Sequence, residues 1–142
     1  MKRNSMWVFI GLVIASLMLT GCSDPAEAPA DEAIHIEELE SGLSSLTLSA
    51  KAAERLGVQT REVEDRGAQK VVPYASVIYD AQGATWAYVA TEQLSFERAS
   101  IVVELITGDE AILTDGPPAG TPVVIVGAAE LYGAETGVGG GH

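Results

Sequence analysis

The chain of 142 residues carries 20 Asp and Glu against 8 Lys and Arg, a formal net charge of −12 at pH 7. A surface this acidic is excluded from binding nucleic acid or anionic lipid headgroups through its charge. The single cysteine excludes an internal disulfide, and two histidines offer few ligands for a transition metal.

The start of the chain has the pattern of an export signal. Two basic residues precede an uncharged, apolar run from Met6 to Leu19, which is short for a membrane span. The run ends in Leu-Thr-Gly-Cys22, which resembles the lipobox of bacterial lipoproteins. The resemblance implies that residues 1–21 are a signal peptide and that Cys22 is lipidated and becomes the new N-terminus. A free or buried cysteine and an uncleaved membrane anchor are the alternatives.

Residues 22–44 are predicted to form an acidic, disordered tether. Between Ser23 and Glu40 lie seven Asp and Glu and no basic residue, and Ala and Pro fill much of the rest. Such a segment buries too little apolar surface to fold alone, and its charges repel one another. A helix over residues 31–40 is the alternative.

Residues 45–133 are predicted to form a β-rich domain with one short helix. Ser49 is a suitable N-cap and Gly57 a suitable C-cap for a helix over Ala50 to Leu56. Short β-branched or aromatic runs predict strands at 46–48, 58–63, 71–72, 76–79, 84–90, 94–98, 101–106, 111–113 and 122–126.

Turn-forming residues separate many of these strands, as in Asp80-Ala-Gln-Gly83 and Gly108-Asp109. Short strands without intervening helices favour a small antiparallel barrel or sandwich. Residues 134–142 are predicted to be a flexible, glycine-rich tail.

The residues offer no catalytic or metal-binding pattern. His35 lies in the acidic tether and His142 is the last residue, so neither has a second His or a Cys at ligand spacing. Trp86 and Tyr88 share one strand face, where core packing is favoured over a ligand pocket. Gly116-Pro-Pro-Ala-Gly120 lacks the residues of a phosphate-binding loop and is interpreted as a turn. We therefore expect no enzyme, no cofactor and no metal.

Several spaced segments resemble one protein family. They are Leu46-Thr-Leu-Ser49 through Leu56-Gly-Val-Gln-Thr60, Val72 to Asp80 with Gly83, Thr85 to Val89, Phe96-Glu-Arg98 with Val102-Val103, and Gly116 to Gly127 with Leu131. In this order they resemble the membrane-proximal region of periplasmic adaptor (membrane-fusion) subunits of RND-type efflux pumps, over about residues 45–133. Full adaptors insert a lipoyl-like barrel-sandwich domain, and usually a helical hairpin, where Glu64 to Val71 here forms a direct connection.

The resemblance implies a non-catalytic, lipid-anchored envelope module that docks on an RND-type transporter or on its full-length adaptor. A lipoprotein that binds a small molecule or a cation is the alternative function. Attachment to the membrane is expected through acyl chains on Cys22, facing the periplasm or the cell exterior. Ser23 is typical of lipoproteins that Gram-negative bacteria sort to the outer membrane, whereas contact with a pump favours the inner membrane.

Overall fold

The computed structural model describes residues 32–137. The predicted signal peptide, Cys22, tether residues 22–31 and His142 lie outside the described residues. The elements in chain order are β1 (Ile34–Glu38), β2 (Ser44–Leu48), α1 (Ala50–Leu56), β3 (Gln59–Glu62), β4 (Glu64–Arg66), β5 (Gln69–Pro73), a 3₁₀ turn (Tyr74–Ser76), β6 (Ile78–Tyr79), β7 (Thr85–Glu92), β8 (Ser95–Ser100), β9 (Val102–Thr107), β10 (Glu110–Asp115), β11 (Pro122–Val126) and α2 (Ala128–Glu135).

The strands form two antiparallel sheets. The first has the order β1-β2-β8-β7-β11-β3, and β6 pairs with the start of β7 on the side away from β8. The second has the order β4-β5-β10-β9. Two of the crossings between the sheets are single residues: Val63 joins β3 to β4, and Ile101 joins β8 to β9. Both side chains are buried at these crossings.

Two apolar cores lie on opposite faces of the central strands. On β7, Tyr88 packs in the core beneath the two helices, whereas its neighbour Ala87 packs in the core between the two sheets. Val124 and Val123 on β11 divide in the same way. Successive side chains on a strand point to opposite faces, so one strand supplies both cores. The middle of the first sheet is therefore covered on both sides.

Helix α1 has the bounds and caps that the sequence predicts. The hydroxyl of Ser49 accepts a hydrogen bond from the backbone N–H of Ala52 at 3.2 Å. Gly57 adopts a left-handed conformation with φ of 62°, and its N–H bonds to carbonyls of the last turn. Neither helix within residues 32–137 is long and apolar enough to cross a bilayer.

The predicted fold class is confirmed: the described chain is mainly β, with antiparallel sheets. The described residues form two sheets and not a closed barrel. The prediction of one short helix is wrong, because α2 follows β11 and buries Ala128 and Leu131 in the first core. Helix α2 also includes residues 134 and 135, so the predicted start of the flexible tail at residue 134 is wrong.

The predicted range of the disordered tether, residues 22–44, is partly wrong. Strand β1 lies inside it and pairs along its whole length with β2, from Ile34 opposite Leu48 to Glu38 opposite Ser44. Ile34 packs against the first core, which supplies the apolar contact that the acidic composition concealed. The alternative, a helix over residues 31–40, is not observed in the described part of that range, where a strand stands instead.

Candidate functional site

Exposed apolar side chains are concentrated in two segments of the described chain, residues 74–79 and strand β9. Of the seven large apolar residues that the described chain exposes, five lie on the 3₁₀ turn, β6 and β9. We call these five the apolar surface: Tyr74, Tyr79, Val102, Leu105 and Ile106. Leu105 is 54 % exposed, Val102 50 % and Tyr79 49 %. Apolar side chains scattered singly over a surface need no explanation, whereas a contiguous group marks a candidate contact surface.

A groove of about 660 Å³ runs along β9 and is lined by four of these five residues, all except Tyr74. Its position follows from the path of the chain. Up to Ile101 the chain pairs with β7, where the N–H of Ile101 bonds to the carbonyl of Thr85 at 3.1 Å. Beyond Ile101 the chain leaves β7 and pairs with β10. The groove opens where the two strands part, with Gly83 to Thr85 as its opposite wall.

A second groove, of about 430 Å³, adjoins the first at Tyr79. It lies between the Tyr74–Tyr79 segment and the start of α2, and Tyr79 lines both grooves. Desolvation, and to a smaller extent contact with Tyr74, raises the pKa of the Tyr79 hydroxyl above its ordinary value. Tyr79 is therefore an uncharged ring at physiological pH, and it is the residue that the two grooves share.

The charges beside the apolar surface are acidic. In the described chain, the charged residues that line the two grooves are Glu104 and Glu130, and no Lys or Arg is among the lining residues. The carboxylate of Glu104 accepts a hydrogen bond from the side-chain amide of Gln69 at 2.6 Å. Asp80 follows Tyr79, and Asp109 follows β9. A complementary partner surface is consequently apolar with basic groups around it.

Trp86 and Tyr88 are held in packing contacts. Tyr88 is fully buried, and its hydroxyl donates to a carboxylate oxygen of Glu135 at 2.5 Å. The guanidinium of Arg98 stacks on the Trp86 ring, 4.7 Å from its centroid. The indole N–H of Trp86 donates to Asp80 at 2.9 Å, and this bond holds the pKa of the Asp80 carboxyl below its usual range. These contacts favour the packing interpretation of both rings.

An ion pair between Arg98 on β8 and Glu135 on α2 connects the helix to the first sheet. Nε of Arg98 lies 2.8 Å from a carboxylate oxygen of Glu135, whose side chain is only 4 % exposed. The Nε–H does not point at that oxygen in hydrogen-bond geometry, so the contact is electrostatic. The ring of Tyr132 covers the guanidinium from the helix side, 5.8 Å from its centroid. Arg98 is thus enclosed between two aromatic rings.

The remaining candidates from the sequence do not converge. His35 lies on the exposed strand β1, and its Nδ1 is 3.5 Å from a carboxylate oxygen of Glu32. No group of three or more His, Cys, Asp or Glu side chains in the described chain is arranged to hold a metal ion. Glu110 accepts two hydrogen bonds from Arg66, at 2.8 and 2.9 Å, and these lower the pKa of its carboxyl. At Gly116 a Cβ would lie 3.0 Å from Leu113, as expected of a tight turn.

Sequence reasoning did not single out the apolar surface. The residues of β9 were predicted as a strand, but the sequence does not show that this strand lies at the edge of its sheet. The one available signal is Val-Val-Glu-Leu-Ile at 102–106, which lacks the alternation of a half-buried strand. Comparison of the chain with protein-family models, with curated proteins and with solved structures found no match.

Proposed function

We propose that this protein is a non-catalytic, lipid-anchored module of the cell envelope that docks on a protein partner through the apolar surface. The observation that carries the proposal is the group of exposed apolar side chains along two grooves that share Tyr79, with acidic residues in their lining. Exposed apolar area of this kind is costly in water and is typical of contact surfaces.

Lipidation at Cys22 supports docking at a membrane. Acyl chains would hold the domain near membrane partners, which raises the effective concentration of the surface facing them. A surface with five exposed apolar side chains is small by the standard of stable complexes, which bury about 1,200–2,000 Å² in total. Tethering would allow such a small contact to be occupied without high intrinsic affinity.

The partner we propose is an RND-type efflux transporter or its full-length adaptor. Support comes from the resemblance of residues 45–133 to the membrane-proximal region of such adaptors. The segment that would carry the additional adaptor domains, Glu64 to Val71, is occupied here by the β4–β5 hairpin. The module would therefore depend on another chain for the parts of the assembly that reach across the periplasm.

Site-specific crosslinking tests the proposal. Benzoylphenylalanine would replace Tyr79 in one version of the protein and Glu54, an exposed residue of α1, in the matched control. Irradiated membranes from the native host would be solubilised, and the crosslinked proteins identified by mass spectrometry. We expect a transporter or adaptor subunit from position 79 and not from position 54. Recovery of neither subunit from position 79, or equal recovery from both positions, would refute the proposal.

A further inference from the structure

We infer that the free edge of β9 receives an extended, basic segment of the partner, which adds a fifth strand to the second sheet. This inference rests on the proposed function and specifies how the docking occurs. Strand β9 ends the order β4-β5-β10-β9, so one of its edges has no neighbouring strand in the described chain. Edge strands of this kind are templates for pairing with another chain.

The groove beside β9 gives such a strand its place. Because the chain parts from β7 at Ile101, the open side of β9 faces a groove whose other wall is Gly83 to Thr85. Adjacent strands lie about 4.8 Å apart, so an added strand would occupy the space that this divergence leaves. Tyr79 and Leu105 line the same groove and would contact side chains of the added strand.

The ladder between β9 and β10 shows which part of the edge is open to pairing. Two register irregularities lie between Val102 and Leu105: Glu104 on β9 and Thr114 on β10 each have no residue opposite them. Such irregularities twist an edge away from new partners. Leu105, Ile106 and Thr107 pair with β10 in unbroken register. We therefore place the new backbone hydrogen bonds mainly at Leu105 to Thr107.

The other strands that end a sheet in the described chain, β1, β3 and β4, carry more charge. Their charged residues are Glu37, Glu38, Arg61, Glu62, Glu64, Asp65 and Arg66. Charged side chains on edges discourage pairing with other chains. Strand β9 has one charge, Glu104, which is bonded to Gln69. The β9 edge is therefore the one that charge protects least.

The charges decide which occupant fits. Pairing of β9 with a second copy would bring together two molecules of net charge −12, and the one charge on the paired strand, Glu104, is also acidic. The chain's own residues 23–31 are acidic and contain Pro25 and Pro29, which cannot donate backbone hydrogen bonds. A partner segment that alternates apolar residues with Lys or Arg meets both requirements, apolar contact and opposite charge.

Amide hydrogen exchange tests this inference on the full-length mature protein in non-ionic detergent. The probe is an end-blocked octapeptide of alternating Val and Lys. Its controls are the same peptide with N-methylated valines, which lack backbone donors, and a peptide of alternating Val and Glu. We expect the Val-Lys peptide to slow exchange of the outward-facing amides in 105–107 at least tenfold, and neither control to do so.

A matched pair of variants locates the site. Leu105→Lys should weaken peptide binding at least tenfold, whereas Thr60→Lys, which adds the same charge to the β3 edge, should leave it unchanged. Exchange that stays unaltered at saturating peptide, or equal protection by the N-methylated peptide, overturns the inference. Concentration-dependent protection of 105–107 without peptide, abolished by Leu105→Lys, also overturns it and assigns the edge to a second copy.

The crosslinking experiment and the hydrogen-exchange experiment can each fail without the other. If position 79 crosslinks to a transporter or adaptor subunit while the peptide leaves β9 unprotected, docking uses side chains alone and strand addition is wrong. If the peptide protects β9 while the crosslink recovers neither subunit, strand addition stands and the proposed partner is wrong.

Discussion

At the scale of single residues, the least replaceable group is the ion pair between Arg98 and Glu135. The Glu135 carboxylate is almost fully buried, and it takes both the Arg98 contact and the Tyr88 hydrogen bond. Removing one member of a buried pair leaves the other charge without compensation, which is far more costly than the pair itself is stabilising. The helix end and the sheet are joined at this point.

Glu135→Ala should therefore lower the free energy of unfolding by about 3–5 kcal/mol, measured by urea denaturation. Tyr88→Phe removes only one hydroxyl and should cost about 1.5 kcal/mol. The double variant Arg98→Met with Glu135→Leu, which leaves no buried charge, should be more stable than Glu135→Ala. A Glu135→Ala variant as stable as the wild type would show that the pair carries no such coupling.

Tyr88 also predicts how stability depends on alkaline pH. Burial, followed by the hydrogen bond to Glu135, raises the pKa of the Tyr88 hydroxyl well above its ordinary value near 10. The folded state favours the neutral phenol, so the stability it contributes is present below pH 10 and is lost as pH rises further. The slope is at most about 1.4 kcal/mol per pH unit for one group.

Tyr88→Phe should consequently lose less stability than the wild type when the pH rises from 9 to 11. Urea denaturation at a series of pH values measures both slopes, and the Tyr79→Phe variant accounts for the other raised tyrosine pKa. Equal slopes in the wild type and Tyr88→Phe would show that Tyr88 does not titrate at a raised pKa.

At the scale of elements, the sequence correctly predicts those features that depend only on neighbouring residues. Ser49 and Gly57 bound α1 as expected, because a cap acts within one turn of helix. Strand β1 was missed because its order comes from pairing with β2, which its own acidic sequence does not reveal. Helix α2 was missed because glycines follow it closely, and its stability comes from Leu131 and Glu135 in tertiary contacts.

Gly127 combines a left-handed backbone with a close neighbour. It joins β11 to α2 with φ of 95°, and a Cβ there would lie 3.2 Å from a methyl of Val58. Gly120 has a similar φ of 84° but open space around it. Both changes to Ala cost about 1–2 kcal/mol of backbone strain.

Gly127→Ala should therefore destabilise the protein more than Gly120→Ala, and thermal denaturation of the two variants measures the difference. The additional destabilisation of Gly127→Ala measures the cost of the contact with Val58. If the two midpoints fall equally, the β11–α2 connection has room to adjust and the close approach carries no cost.

At the scale of the whole molecule, the described domain begins close to the proposed anchor. Between Cys22 and Ile34 the chain can extend at most about 40 Å, about half the distance that a tether ending at residue 44 would allow. A lipidated protein would therefore hold the start of the domain near the membrane. The exposure of the apolar surface could not be read from the sequence, because it depends on β9 lying at the edge of a sheet.

Lipidation itself makes a direct prediction. Cys22→Ala should release the protein from membranes or leave an unprocessed precursor, because no thiol remains for acylation. Membrane fractionation combined with intact-mass measurement distinguishes these outcomes. Retention in the membrane fraction at mature mass, as in the wild type, would show that Cys22 is not the anchor.

Docking through the apolar surface is tested most directly by co-purification from native membranes. Wild-type protein, Leu105→Lys and the edge-matched control Thr60→Lys would be purified in equal amount, and the transporter and adaptor subunits bound to each would be quantified by mass spectrometry. The wild type and Thr60→Lys should retain these subunits equally, and Leu105→Lys should lose at least nine-tenths of them. Equal recovery with all three proteins, or recovery with none, would contradict docking through this surface.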